Sequence, residues 1–148
     1  MSFTLILTLL LACGTQPPTT VPASPEVEPT EAVSPPAPQL KPLPSFGLND
    51  GERWQMDPHT RESMGRLLPL LRDGSVSGPE QAKHIDKELG VLVKGCTMTG
   101  PAHDELHVFL GALFPRVGAL SKEPSADKLQ KLRTDLNILA SDYEGTFQ

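Results

Sequence analysis

The chain has 148 residues and a net charge of −5, with 13 Lys and Arg against 18 Asp and Glu. No basic block occurs in it, which argues against nucleic acid, and against electrostatic docking on an anionic lipid surface. The length is that of one domain, and the 16 prolines are too unevenly spread for all of the chain to belong to it.

The N-terminal stretch SFTLILTLLLACG is apolar and short. About ten apolar residues are too few to cross a bilayer as a helix but suit a signal h-region. The run ends in Leu10-Leu11-Ala12-Cys13, which resembles the lipobox of bacterial lipoproteins. That resemblance implies cleavage before Cys13 and a lipid on Cys13. It also implies a place in a bacterial cell envelope, anchored to the outer membrane and facing the periplasm. The segment before Cys13 departs from the pattern in having no Lys or Arg. Residues 14–44 then hold ten of the 16 prolines, among Thr, Ser, Ala and Glu. Such a segment buries too little apolar surface to offset its ordering entropy and favours extended, semi-rigid chain. The expected organisation is a signal peptide over 1–12, a lipidated Cys13 with a Pro-rich linker over 13–45, and a globular part over 46–148.

The globular part has no sustained alternation and four helical patterns. The first opens at Asp57-Pro58, a capping residue before a proline suited to the first turn. Met64, Leu67, Leu68 and Leu71 form its stripe, and Pro69 predicts a kink or an early end. The second opens at Ser77-Gly-Pro-Glu80, with capping-box spacing, and places Ile85, Leu89, Leu92, Val93 and Cys96 on one side. The third opens at Gly100-Pro101 and carries Leu106, Phe109, Leu110, Leu113, Phe114 and Val117, with a kink predicted at Pro115. The fourth opens at Ser125, and Leu129, Leu132, Leu136, Leu139 and Tyr143 repeat at spacings of three and four, a bundle seam. Four helices with short loops predict an all-α, antiparallel four-helix bundle, with Trp54 folded over one end as an apolar lid.

The chemistry concentrates in GCTMTGPAHDELHVF, Gly95 to Phe109. Cys96 ends the second helix, Met98 lies in the turn, and His103 and His107 stand one helical turn apart on one face of the third. Because Leu106, Leu110 and Phe114 neighbour that face, the imidazoles are expected to point inward. The four side chains would then meet at one end of the core. Thiolate and thioether are soft ligands and imidazole suits copper and zinc, so Cys96, Met98, His103 and His107 together favour Cu(I). Cys96 with the two histidines and an open fourth position would suit Zn(II). Asp104 is placed to orient His107 from behind the metal. With Cys13 lipidated, Cys96 has no disulfide partner, and a lone thiol outside the cytoplasm calls for burial or ligation. His59 and His84 are expected on the surface.

CTMTGPAHDELHVFL, with GERWQMD upstream, resembles a group of small bacterial secreted proteins and lipoproteins. They share a Cys-Thr-Met-x-Gly-x-Ala/Ser-His-Asp/Asn-x-Leu-His signature in a helical bundle. Cys96, Thr97, Met98, Gly100, His103, Leu106 and His107 match it position by position, whereas Pro101 and the Pro-rich tether are particular to this chain. The resemblance implies a site at these residues and names no activity for it.

No acid/base carboxylate pair, nucleophile elbow, phosphate loop or CxxCH haem motif is present in the sequence, so no enzyme is expected. The expectation is a membrane-anchored protein binding Cu(I) for buffering, tolerance or delivery. Two alternatives stand beside it. One is a structural or interaction lipoprotein that presents the bundle to an envelope partner, with its histidines in the core. The other is a copper electron-transfer protein, since Cys, Met and two His are also blue-copper ligand types.

Overall fold

In a computed structural model of the chain, residues 40–122 and 124–148 are described. Residues 1–39, which include the expected signal peptide, Cys13 and most of the expected linker, lie outside the described residues. Four helices follow one another: α1 Pro58–Arg72, α2 Gly78–Gly95, α3 Pro101–Leu120 and α4 Ala126–Thr146. Each helix packs on its chain neighbours, and α4 closes on α1. The result is the antiparallel four-helix bundle that the hydrophobic pattern predicts. Among the described residues none forms a strand, and pairing is limited to two isolated bridges.

Local chemistry sets the helix starts. The Asp57 carboxylate accepts from the Thr60 N–H, and Pro58 fills the first turn of α1. Burial pushes the Asp57 carboxyl up, but the Thr60 amide and hydroxyl, His59 and Thr97 outweigh it and hold the group below the usual carboxylate value. Ser77 caps α2 through the Glu80 N–H. Gly100 caps α3 with φ +80° and no side-chain bond. Only glycine takes that backbone without strain, so this residue lets the chain reverse directly into α3.

Both internal prolines are tolerated, since α1 and α3 each run on past them. Pro69 and Pro115 are exposed, and so are Gly65 and Gly111, the residues four before them. The carbonyl that loses its intrahelical donor therefore faces water in each case.

The core runs the length of the bundle. Met64, Leu67, Ile85, Leu89, Phe109, Leu113, Leu132 and Leu136 are all within 2% of complete burial. At one end Phe109, Tyr143 and Phe147 pack as an aromatic cluster, Tyr143 and Phe147 stacked with centroids 4.8 Å apart. Trp54 half-covers this core as expected. Its backbone pairs with the C-terminus, Trp54 N–H to Thr146 carbonyl at 2.8 Å and Gln148 N–H to Trp54 carbonyl at 2.9 Å. The start of α1 is thereby tied to the end of α4.

The packed part of the chain begins before residue 46. Leu40 and Leu43 lie against the core, and the Lys41 carbonyl accepts from Arg116 Nη2 at 2.9 Å. Arg116 also binds Asp135 through Nε at 3.0 Å and the Ala112 carbonyl through Nη1 at 2.9 Å. Every guanidinium nitrogen is partnered, which is the condition for burying an Arg at 3% exposure. The sequence carries a signal for this site that the periodicity passes over: between Glu105 and Lys122, Arg116 is the one Asp, Glu, Lys or Arg, set among Pro115, Val117 and Leu113.

Candidate metal centre

The turn from α2 to α3 divides the four proposed ligands into two pairs. Cys96 leaves α2 in an extended conformation, φ −67° and ψ 120°, and is half-buried against the core together with Met98. The sulfur of Met98 faces α1, where the Thr60 hydroxyl donates to Sδ at 3.4 Å. Thr97, between them, faces the Asp57 carboxylate. The sulfur-bearing part of the stretch is thus fastened to the start of α1.

The histidines turn the other way. His103 and His107 stack edge to face with centroids 4.4 Å apart, and their Nε2 atoms lie 3.0 Å apart. One ring donates and the other accepts, which is which being set by their tautomers. His103 is half-buried and His107 is exposed.

The inward orientation expected for these imidazoles is corrected here. At 100° per residue, the buried arc of α3 is centred on Phe109, Leu113 and Val117. His103, His107, Gly111 and Phe114 form a stripe on the order of 100° to one side of that arc. Leu106 and Leu110 lie at its near edge and are buried, whereas Phe114 is 45% exposed. The imidazole pair therefore sits on the rim of the bundle. Among the described residues no three His, Cys, Asp or Glu side chains converge on one point. Cys96 and both histidines do not form a ready three-donor site. Asp104 is exposed, and no hydrogen bond joins it to His107; the neighbouring Glu105 accepts from the Gly47 N–H at 2.7 Å.

His59 also departs from expectation. It is half-buried, its Nε2 lies 3.2 Å from the Val91 carbonyl, and its ring rests on Gly95, where a Cβ would stand 2.3 Å from two ring atoms. A glycine in the last position of a helix, directly before Cys96, is the sequence signal for such an approach. His84 is exposed as expected. No protein-family model, curated protein or solved structure matches the chain.

Proposed function

We propose that the chain binds a soft metal ion, Cu(I), and serves in its buffering, tolerance or delivery at a bacterial envelope, anchored through Cys13. The observation that carries this reading is the His103–His107 pair, whose two Nε2 atoms face each other at 3.0 Å on an accessible rim. Two imidazoles one turn apart on a stable helix are a preorganised bidentate donor. An incoming cation replaces their hydrogen bond, the donating ring carrying its proton on Nδ1 instead. Met98 and Cys96 are the sulfur donors of this proposal, and they select Cu(I) over Zn(II) by softness. Met98 would exchange the weak acceptor bond from Thr60 for the metal, a swing confined to the turn between α2 and α3.

The test is a competition titration of the full chain with Cu(I) and a chromophoric chelator. One ion per chain is expected. His107→Ala and Cys96→Ser should each weaken binding by about a hundredfold or more, about 2.7 kcal/mol. Unchanged affinity in both variants would sink the proposal. A strong visible band on adding Cu(II) would point to electron transfer instead, and a colourless Cu(I) complex to buffering or delivery.

The interaction-protein reading draws on a separate observation. Val91, Val93, Val108, Phe114 and Ile138 are each at least 40% exposed, apolar side chains that a partner surface could cover. On that reading metal leaves the melting temperature unchanged, whereas ligation by the native state raises it.

A further inference from the structure

A groove of about 940 Å³ lies along α3, between the segment 40–44 and the first half of α4. That is within the range of small-molecule sites, about 300–1,000 Å³. It shares no residue with the imidazole pair. Its lining is graded along its length. Toward the start of α3 it is formed by Val108, and toward the α3–α4 turn by Lys122 and Lys128; Lys131, also in the lining, is paired with Asp135 at 3.3 Å. From Val108 to the end of α3 at Leu120 the helix rises about 18 Å. None of the described lining residues is acidic, although the chain as a whole carries −5.

The floor is kept open by two glycines. Gly111 and Gly118 line the groove, and a Cβ on either would meet nothing within 4 Å. Each is a poorer helix former than Ala, with no close helix contact to account for it. Behind the wall, Arg116 fastens segment 40–44 to α3 through the Lys41 carbonyl and reaches α4 through Asp135. The groove is therefore held by a buried network.

An apolar trough about 18 Å long with Lys122 and Lys128 at one end matches a single-chain amphiphile bearing an anionic head. We propose that this groove binds a fatty-acid-like anion, with its carboxylate at Lys122 and Lys128 and its chain along Gly118, Pro115, Gly111 and Val108. The apolar wall supplies the area and the lysines select the head by charge.

The experiment is calorimetric titration of the full chain with laurate below its micelle concentration. Dodecyltrimethylammonium provides the same tail with the opposite head, and acetate provides the head alone. Saturable binding of one laurate per chain is expected, at least about tenfold tighter than the cationic amphiphile, with no response to acetate. Lys122→Glu combined with Lys128→Glu should weaken laurate by about tenfold or more. Gly111→Leu should abolish binding while helix content holds or rises, because the substitution fills the floor and favours the helix. Equal binding of both amphiphiles, or laurate affinity unmoved by Gly111→Leu, would overturn the proposal. So would saturable binding of a synthetic peptide of residues 25–39 with no response to laurate, which would assign the groove to acidic Pro-rich chain. Sedimentation as a dimer that Gly111→Leu disrupts, again with no response to laurate, would assign it to a second copy and overturn the proposal as well.

Discussion

At the start of α3 two imidazoles lean on each other at the rim of the bundle, His107 exposed and the pair held by one contact at 3.0 Å. Near its end the guanidinium of Arg116 is buried and bonded to α3, α4 and the Lys41 carbonyl at once. One helix thus carries two polar sites under opposite constraints. Arg116 is surrounded by protein, so each of its donors must be matched within the fold. His107 faces water and His103 is half-buried, so the fold places no comparable demand on their pairing. A buried group with all its partners in place belongs to stability, and an accessible pair of donors is available for binding.

That contrast can be broken from either side. The largest effect is expected from Arg116→Ala, which leaves the buried Asp135 with only the exposed Lys131, 3.3 Å away, and releases segment 40–44. A loss of about 3–5 kcal/mol follows, read as a fall in melting temperature on the order of 10–20 °C. Arg116→Met with Asp135→Leu should recover most of it, because an apolar pair of similar volume leaves no orphan charge. Recovery absent in the double variant would mean that the tie to Lys41 matters more than the charge.

Asp57→Ala comes next, at about 1 kcal/mol, for the lost cap of α1. Asp57→Asn keeps the cap and removes the charge. The folded carboxyl sits below its ordinary value of 3.8, so its stabilisation is complete above that pH and is lost as pH falls through the folded value. Glu144, held low by Arg72, moves in the same direction. Denaturant midpoints of the parent and Asp57→Asn should therefore differ near neutrality and converge in acid.

For His107→Ala the expected change in stability is within about 0.5 kcal/mol, because the side chain is exposed. A loss above about 2 kcal/mol in chemical denaturation would mark it as a structural group and count against metal binding. The smallest effect belongs to Gly95→Ala. Its Cβ displaces the His59 ring from the Val91 carbonyl, while the gain in helix propensity offsets part of the cost. The imidazole resonances of His59 should shift, with the melting temperature nearly unmoved.

The four helices and their starts were legible because they rest on near-neighbour rules. Asp57-Pro58, Ser77 with Glu80, Gly100-Pro101 and Ser125 each mark a boundary within a few residues of chain. The seam of Leu132, Leu136, Leu139 and Tyr143 is buried as its spacing requires. The direction of the His103–His107 stripe was less legible. Leu106 and Leu110 adjoin it on one side and Gly111 on the other, so the sequence permits either rotation. Phe109, facing the aromatic rings of Tyr143 and Phe147 across the core, decides it.

The sequence by itself determined the helical count, the boundaries and which residues carry metal-ligating chemistry, since these depend on side-chain type and on separations of three or four residues. Only the tertiary structure decided how that chemistry is divided. Thr60 and Asp57 hold the Met98–Thr97 turn against α1, and the packing of α3 turns the imidazoles to the rim. Those partners come from a helix some forty residues away in the chain, a distance at which no periodicity speaks. The same holds for Arg116, Asp135 and Lys41, which meet because burial leaves a guanidinium no other acceptors.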